Sequence, residues 1–527
     1  MTVPRRQGVR AARTIVWLLL VALTPWRFDA AQTIDTVIVL NANVFDEIQV
    51  IEYGFLARAA NALHIKTRAS VIRRTLLLDA GDPYDSARVA ESERGLRALG
   101  VFRYVVLDTA RVRGRLALVA ATGDGWTTKP QANFSTAGGD ATWEVGIVED
   151  NLLGTATTLT AGYRKTPDRG AVVLRYISPQ FLFRRAGLFL EYSDRSDGRR
   201  GSWRYGVPFY QTAARRALWV WGEAADEDIL QFRDGALDST VTRVALRVGL
   251  SGGVALRATS RNYVRLWGTV AWRREDFVPD TASLVPRSVF GSAGVGVEVG
   301  HVRFRVLRQL NSYSRREDVN LSQLLRVGVW AAPRAWGYPA SRSGIGPEVR
   351  GQVSTVWRHG FAVLRGSAQG ALAAGGVDSG RVRVSVTVAD QTLPRQTWLL
   401  FAEGGVTEDP KPGDEFDLWF EGRGLRLFGA HAFTGTRMVW GTLENRILVD
   451  DDIEGLLGIG VAPFLDLGGA WFGDQSPSYG GNVGLALRMG PTRSVRAEAA
   501  EIAFGYRFGE GWGSRRWALA IRKGFAF

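Results

Sequence analysis

Beyond residue 130 the chain alternates apolar and polar positions with period two. In "TRVALRVGL", residues 242 to 250, Val244, Leu246, Val248 and Leu250 fall on one side and Arg243, Ala245, Arg247 and Gly249 on the other. "RVRVSVTV", 381 to 388, sets four valines against Arg381, Arg383, Ser385 and Thr387. "YVRLWGTVAWR", 263 to 273, sets Val264, Leu266, Val270 and Trp272 against Arg265, Thr269 and Arg273. Successive strand side chains point to opposite faces, so the pattern predicts a sheet with one apolar and one polar face.

A soluble sandwich would alternate too, with its apolar face inward. Two features favour a barrel in lipid. The strands are near the roughly 9 to 11 residues that cross a bilayer, against about 5 to 6 in soluble sheets. The polar face is repeatedly arginine, as in the wall of a wet lumen, and a closed barrel pairs every backbone group inside lipid. The expectation is a transmembrane antiparallel β-barrel over residues 130–527. The chain ends "WALAIRKGFAF", with Trp517, Leu519, Ile521, Phe525 and Phe527 in phase, which reads as the closing strand with terminal aromatics at the membrane interface.

The period changes between Ile34 and Ala121. "DSARVAESERGLRALG", 85 to 100, opens with cap-competent Asp85 or Ser86, carries Val89, Leu96 and Leu99 on one helical face and stops at Gly100. "SVIRRTLLL" predicts a shorter helix, and "VFRYVVLDT" with "RLALVAA" a strand pair across "ARVRG". The order is strand, helix, helix, strand, strand, a small α+β domain over 32–125. Ahead of it, 1–31 combines a basic start, an uncharged apolar stretch from Thr14 to Trp26 and small Ala30 and Ala31, the pattern of a secretory signal peptide. That stretch is shorter than the roughly 20 residues of a spanning helix.

Composition agrees with exported β-structure. Trp 18, Tyr 13, Phe 25 and Gly 62 accompany Met 3, and Cys 0 excludes disulfides and thiolate metal sites. The net charge of +14 is nearly all arginine and partly sits in the leader. No basic run or nucleic-acid motif accompanies it, so nucleic acid is not an expected partner. The histidines His64, His301, His359 and His431 fall in no Ser/His/acid or HExxH context, and no phosphate or calcium loop appears. No catalytic residue, cofactor or metal is expected.

With these residues in view, the chain resembles the outer-membrane assembly superfamily of BamA and TamA, the bacterial surface antigen family. "VIRRTLLLDAGDPYDSARVAESERGLRALGVFRYV", 71 to 105, is similar to that family's polypeptide-transport-associated (POTRA) domain, and "EDNLLGTATTLTAGY", 149 to 163, to its early barrel hairpin. "GRGLRLFGAHAFTG", 422 to 435, is similar to the lumen loop carrying a Val-Arg-Gly-Phe/Tyr motif, here Leu425, Arg426, Leu427 and Phe428, with Leu427 in the place of the glycine. In the family that arginine is held by inner-wall carboxylates. "WGTLENRIL" and "APFLDLGGAW" place Glu444 and Asp466 at matching positions, so the resemblance implies an Arg426 fork between them. Phe525 and Phe527 match the family's C-terminal signal, while Arg522 stands where glycine is usual.

The resemblance further implies about sixteen strands and a single periplasmic POTRA domain. It implies an outer-membrane barrel that assembles, inserts or translocates polypeptides through a weak seam, about Gln131 to Gly138 against Trp517 to Phe527. Implied partners are the outer-membrane lipid bilayer, unfolded client polypeptides, and periplasmic chaperones or accessory proteins. The alternative is a passive or anion-selective channel lined by arginine.

Overall fold

The computed structural model describes residues 32–279, 288–313, 316–338, 343–373, 376–419, 424–453, 457–492, 499–511 and 515–523. Residues 1–31, where a signal peptide is expected, and Phe525 and Phe527 lie outside them.

The mixed region forms β1 (Thr36–Ala42), α1 (Glu47–Leu63), α2 (Ala69–Thr75), α3 (Ser86–Ala98), β2 (Phe102–Val112) and β3 (Arg115–Asp124). The sheet order is β1-β3-β2, with β1 parallel and β2 antiparallel to β3. Asp85 caps α3 by accepting from the backbone N–H of Ala87 at 2.8 Å and Arg88 at 3.2 Å. Val89 and Leu96 then face a core with Ile34, Ile72, Leu78 and Leu118. Helix α1 departs from the expected order of two helices. It is interrupted at Gly54 (φ 59), with Ile51 and Phe55 exposed, so no single helical period runs through it in the sequence.

From Thr128 onward the chain closes into an antiparallel barrel. It has twenty strands, which corrects the expectation of about sixteen. The reason is economy of connection. Early strands are short, as in the 8-residue Thr158–Lys165, and several are joined by two-residue turns such as 138–139 and 234–235. The first hairpin, β4 (Thr128–Ala137) and β5 (Asp140–Glu149), is followed by longer strands, among them Ala236–Ala258 with 23 residues.

The alternation points the apolar side outward. Val244, Leu246, Val248, Leu250, Val382 and Val384 are exposed on the exterior, whereas Arg243 is buried against Glu223, Glu227 and Glu275. An exterior this apolar on a closed sheet suits lipid rather than water. No described helix is long and apolar enough to cross a membrane.

The N-terminal domain sits on one end of the barrel. Arg97 of α3 makes a two-pronged contact with Asp318 (2.7 and 2.8 Å), Glu91 accepts from Thr212, and Gln180 donates to Thr75 at 2.8 Å. Asp318 belongs to a hairpin, Phe304–Arg308 with Arg316–Asn320, inserted between two barrel strands. Leu310 and Leu321 pack this insertion on Phe361, Val363 and Leu399 of the wall. The opposite, far end of the barrel carries the connections that include residues 409–436.

Candidate functional site

The far-end connection after the strand Gln396–Glu408 folds on a short stalk, where Phe416 pairs with Gly435 and Asp417 with Thr434. Gly424 then turns at φ 129, a conformation open to glycine, and a Cβ there would stand 1.2 Å from the Leu418 carbonyl oxygen. The tip Leu425-Arg426-Leu427-Phe428 is a hydrogen-bonded turn, Phe428 N–H to Leu425 O at 3.2 Å. Leu425 and Phe428 bury in an apolar cluster with Phe416, Leu418, Phe433 and Trp440, which fixes the turn on the inner wall.

Arg426 is 2% exposed and faces three carboxylates from three strands. Its Nε donates to Asp466 Oδ2 at 2.8 Å and its Nη2 to Asp466 Oδ1 at 3.0 Å, a bidentate fork. Nη1 donates to Glu501 Oε1 at 3.0 Å, and Nη2 donates to Thr442 Oγ1 at 2.8 Å and lies 3.1 Å from Glu444 Oε2. The guanidinium also lies 4.0 Å from the centre of the Phe464 ring. Glu444 is shared with Arg446 (2.7 Å), and Arg488 and Arg522 stand 3.8 Å from Glu444 and Glu501. Four arginines thus surround three acids, and removing one partner would strand buried charge.

The structure therefore brings together Arg426, Glu444 and Asp466. Sequence reasoning missed Glu501 and Asn482. Glu501 was legible in principle, because it is in phase with Ala503, Gly505 and Arg507 and opposite Ile502, Phe504 and Tyr506. Asn482 donates to Asp466 at 2.7 Å and accepts the Leu427 N–H at 3.2 Å, a bridging role that residue type alone does not advertise. Arg522, at the usual glycine position, joins the same charge cluster.

Leu427 replaces the motif glycine without needing a left-handed backbone. Its side chain is fully buried in a socket of small residues, Ala462, Ala486, Ala503 and Ala520, beside Phe464. Small wall residues make the room that a glycine at the tip would not require.

Past the tip, the loop crosses to the start of the barrel. The Ala430 N–H donates to Asp140 Oδ2 at 2.7 Å, and Gly138 (φ 65) lies so near that a Cβ would stand 2.1 Å from the Gly429 nitrogen. His431 stacks on Phe232 with centroids 3.4 Å apart and planes 4° apart. Its Nδ1 meets Asp417 at 2.5 Å and its Nε2 meets Asp168, in the turn 166–169, at 3.0 Å. Burial alone would lower the imidazole's pKa, but hydrogen bonds to Asp168 and Asp417 outweigh it and raise the pKa to about 9.

The closure of the barrel lies between these two attachments. The closing strand Trp517–Lys523 pairs with Ala500–Gly509 from Tyr506 opposite Trp517 to Ala500 opposite Lys523. On its other side Ile521 is opposite Thr136 of β4. Because β4 ends at Ala137, this register carries Trp517 past the tip of the first hairpin. The first and last strands therefore meet at Thr136 and Ile521, and residues 524–527 lie outside the described ones. Among the described residues no group of three or more His, Asp or Glu side chains is arranged to hold a metal ion.

No protein-family model and no curated protein matches the chain. Among solved structures it is similar to CdiB from Escherichia coli, at 11% identity and TM-score 0.46 over 99% of each chain. It is also similar to BamA from Haemophilus ducreyi lacking POTRA domains 1–3, at 13% identity and TM-score 0.36 over 94% of this chain and 84% of that one. A third is the siderophore receptor PirA from Pseudomonas aeruginosa, at 11% identity and TM-score 0.33 over 80% and 86%.

Proposed function

We propose that the chain is an outer-membrane barrel of the BamA and TamA kind that assembles, inserts or translocates polypeptides, with its N-terminal POTRA domain in the periplasm. The observation that carries this reading is the loop behind the barrel closure, held by Arg426 to the last strands and by Ala430 and His431 to the first hairpins. A transporter with a fixed wall has no need of such a strap. A barrel that parts between its first and last strands does.

The mechanism is physical and uses no catalytic residue. Parting of β4 from the closing strand exposes backbone donors and acceptors in a medium without water. An unfolded client strand satisfies them by adding to the edge. The arginine-lined channel is the weaker reading, because lumen arginines such as Arg243, Arg195 and Arg383 are engaged by Glu223, Glu227, Glu275 and Glu403 rather than left to attract anions.

The test places the purified chain in liposomes and follows folding of an unfolded outer-membrane barrel protein by gel mobility, beside the Arg426→Ala variant. Faster folding that the substitution removes is the expected result. Unchanged folding with steady ion conductance would move the function to a channel.

A further inference from the structure

Helix α1 exposes a row of large apolar side chains. Ile51 is 84% and Phe55 74% exposed, and Ile48, Leu63 and Ile65 continue the surface. Its opposite face is pinned to the domain. Ala57 is buried, and Asn61 exchanges two hydrogen bonds with the Phe45 backbone, donating at 2.8 Å and accepting at 3.0 Å. Ala57 and Asn61 are one helical turn apart, and Phe55 lies about half a turn round from Ala57. The orientation of the segment after the break at Gly54 is therefore set by the anchored face, with Phe55 left outward, while Ile48 and Ile51 are exposed on the segment before the break.

What covers the row follows from where the helix ends. The Ile65 carbonyl accepts from Asn151 at 3.1 Å, and the Arg68 N–H donates to Gly154 O at 2.9 Å, which fixes the segment after α1 to the first domain-end turn of the barrel. Leu153 in that turn is exposed, and Ile147 and Val145 of β5 and Leu159 of the next strand continue the apolar exterior from it. Ile65, at the end of the row, thus adjoins the turn from which the barrel's apolar exterior begins. Arg58, Lys66 and Arg68 are exposed beside it, cations placed where lipid phosphates would lie.

We infer that α1 lies in the headgroup region of the leaflet next to the domain, with Ile51 and Phe55 inserted among the acyl chains and Arg58, Lys66 and Arg68 at the phosphates. The occupant of this surface is a lipid bilayer, and the helix fastens the domain to the membrane beside the first barrel hairpin. A soluble domain rarely exposes so large an apolar row without a partner. The inference rests on the membrane reading above.

The absence of cysteine makes the test clean. Single variants Phe55→Cys, Ile51→Cys, Val145→Cys and Arg111→Cys of the full chain carry an environment-sensitive fluorophore. Each is reconstituted in vesicles of phosphatidylethanolamine and phosphatidylglycerol with and without nitroxide-labelled lipid. Labels at 51, 55 and 145 are expected to emit blue-shifted light that the nitroxide lipid quenches several-fold, while the label at 111, on the domain away from the barrel, stays solvent-like and unquenched. Solvent-like emission at both 51 and 55 with quenching at 145 overturns the inference and leaves the membrane barrel standing. Blue-shifted but unquenched labels at 51 and 55 overturn it in favour of a covering protein, whether a second copy or a client. Lack of quenching at 145 defeats the membrane reading itself.

Discussion

The two attachments of the lumen loop differ in kind. On the last-strand side Arg426 is buried among Asp466, Glu501 and Glu444. On the first-hairpin side Asp140 and His431 make contacts that are partly exposed, and one of them titrates. A strap with one permanent end and one releasable end can stay in the lumen while the barrel parts.

Breaking the permanent end gives the largest expected effect. Arg426→Ala takes from buried Asp466 its cationic partner, while Glu444 and Glu501 keep Arg446, Arg488 and Arg522 nearby, and should cost about 3–5 kcal/mol, read as a lower urea midpoint for the folded gel band. Arg426→Lys should recover only part of it, because an ammonium cannot reproduce the fork to Asp466. Next, Leu427→Gly empties the alanine socket, so it should destabilise by about 2–5 kcal/mol. A gain in stability would show that the socket does not hold the tip.

The releasable end should respond more weakly. Asp140→Ala removes the acceptor of the Ala430 N–H and should cost about 1.5–3 kcal/mol, with faster deuterium exchange at 429–433 and little change at 424–428. Equal exchange along both segments would erase the distinction between the two ends. The smallest effect is that of pH. The His431 pKa is raised in the folded state to about 9, so its contribution is complete below the free imidazole's 6.5 and fades as pH rises through about 9. Protection at 429–433, relative to the base-catalysed intrinsic exchange rate, should therefore fall between pH 7 and 10 in the native chain and not in His431→Gln.

The barrel was legible because lipid reverses the usual sense of burial while keeping period two, which the valines of 381–388 show plainly. Strand number was not, since it depends on turn length and stagger that alternation leaves open. Arg426, Glu444 and Asp466 were found through a motif that fixes their spacing, whereas Glu501 lies 75 residues from Arg426 and meets it only when the wall curves. Helix α1 escaped because the break at Gly54 leaves its apolar residues without one helical phase to detect.

The central claim is that the barrel parts between Thr136 and Ile521. The most direct test is a Thr136→Cys, Ile521→Cys double variant in liposomes, assayed for folding of an unfolded barrel client before and after reduction. The account expects little acceleration when oxidised and recovery of native acceleration when reduced. Full acceleration with the disulfide intact would contradict it.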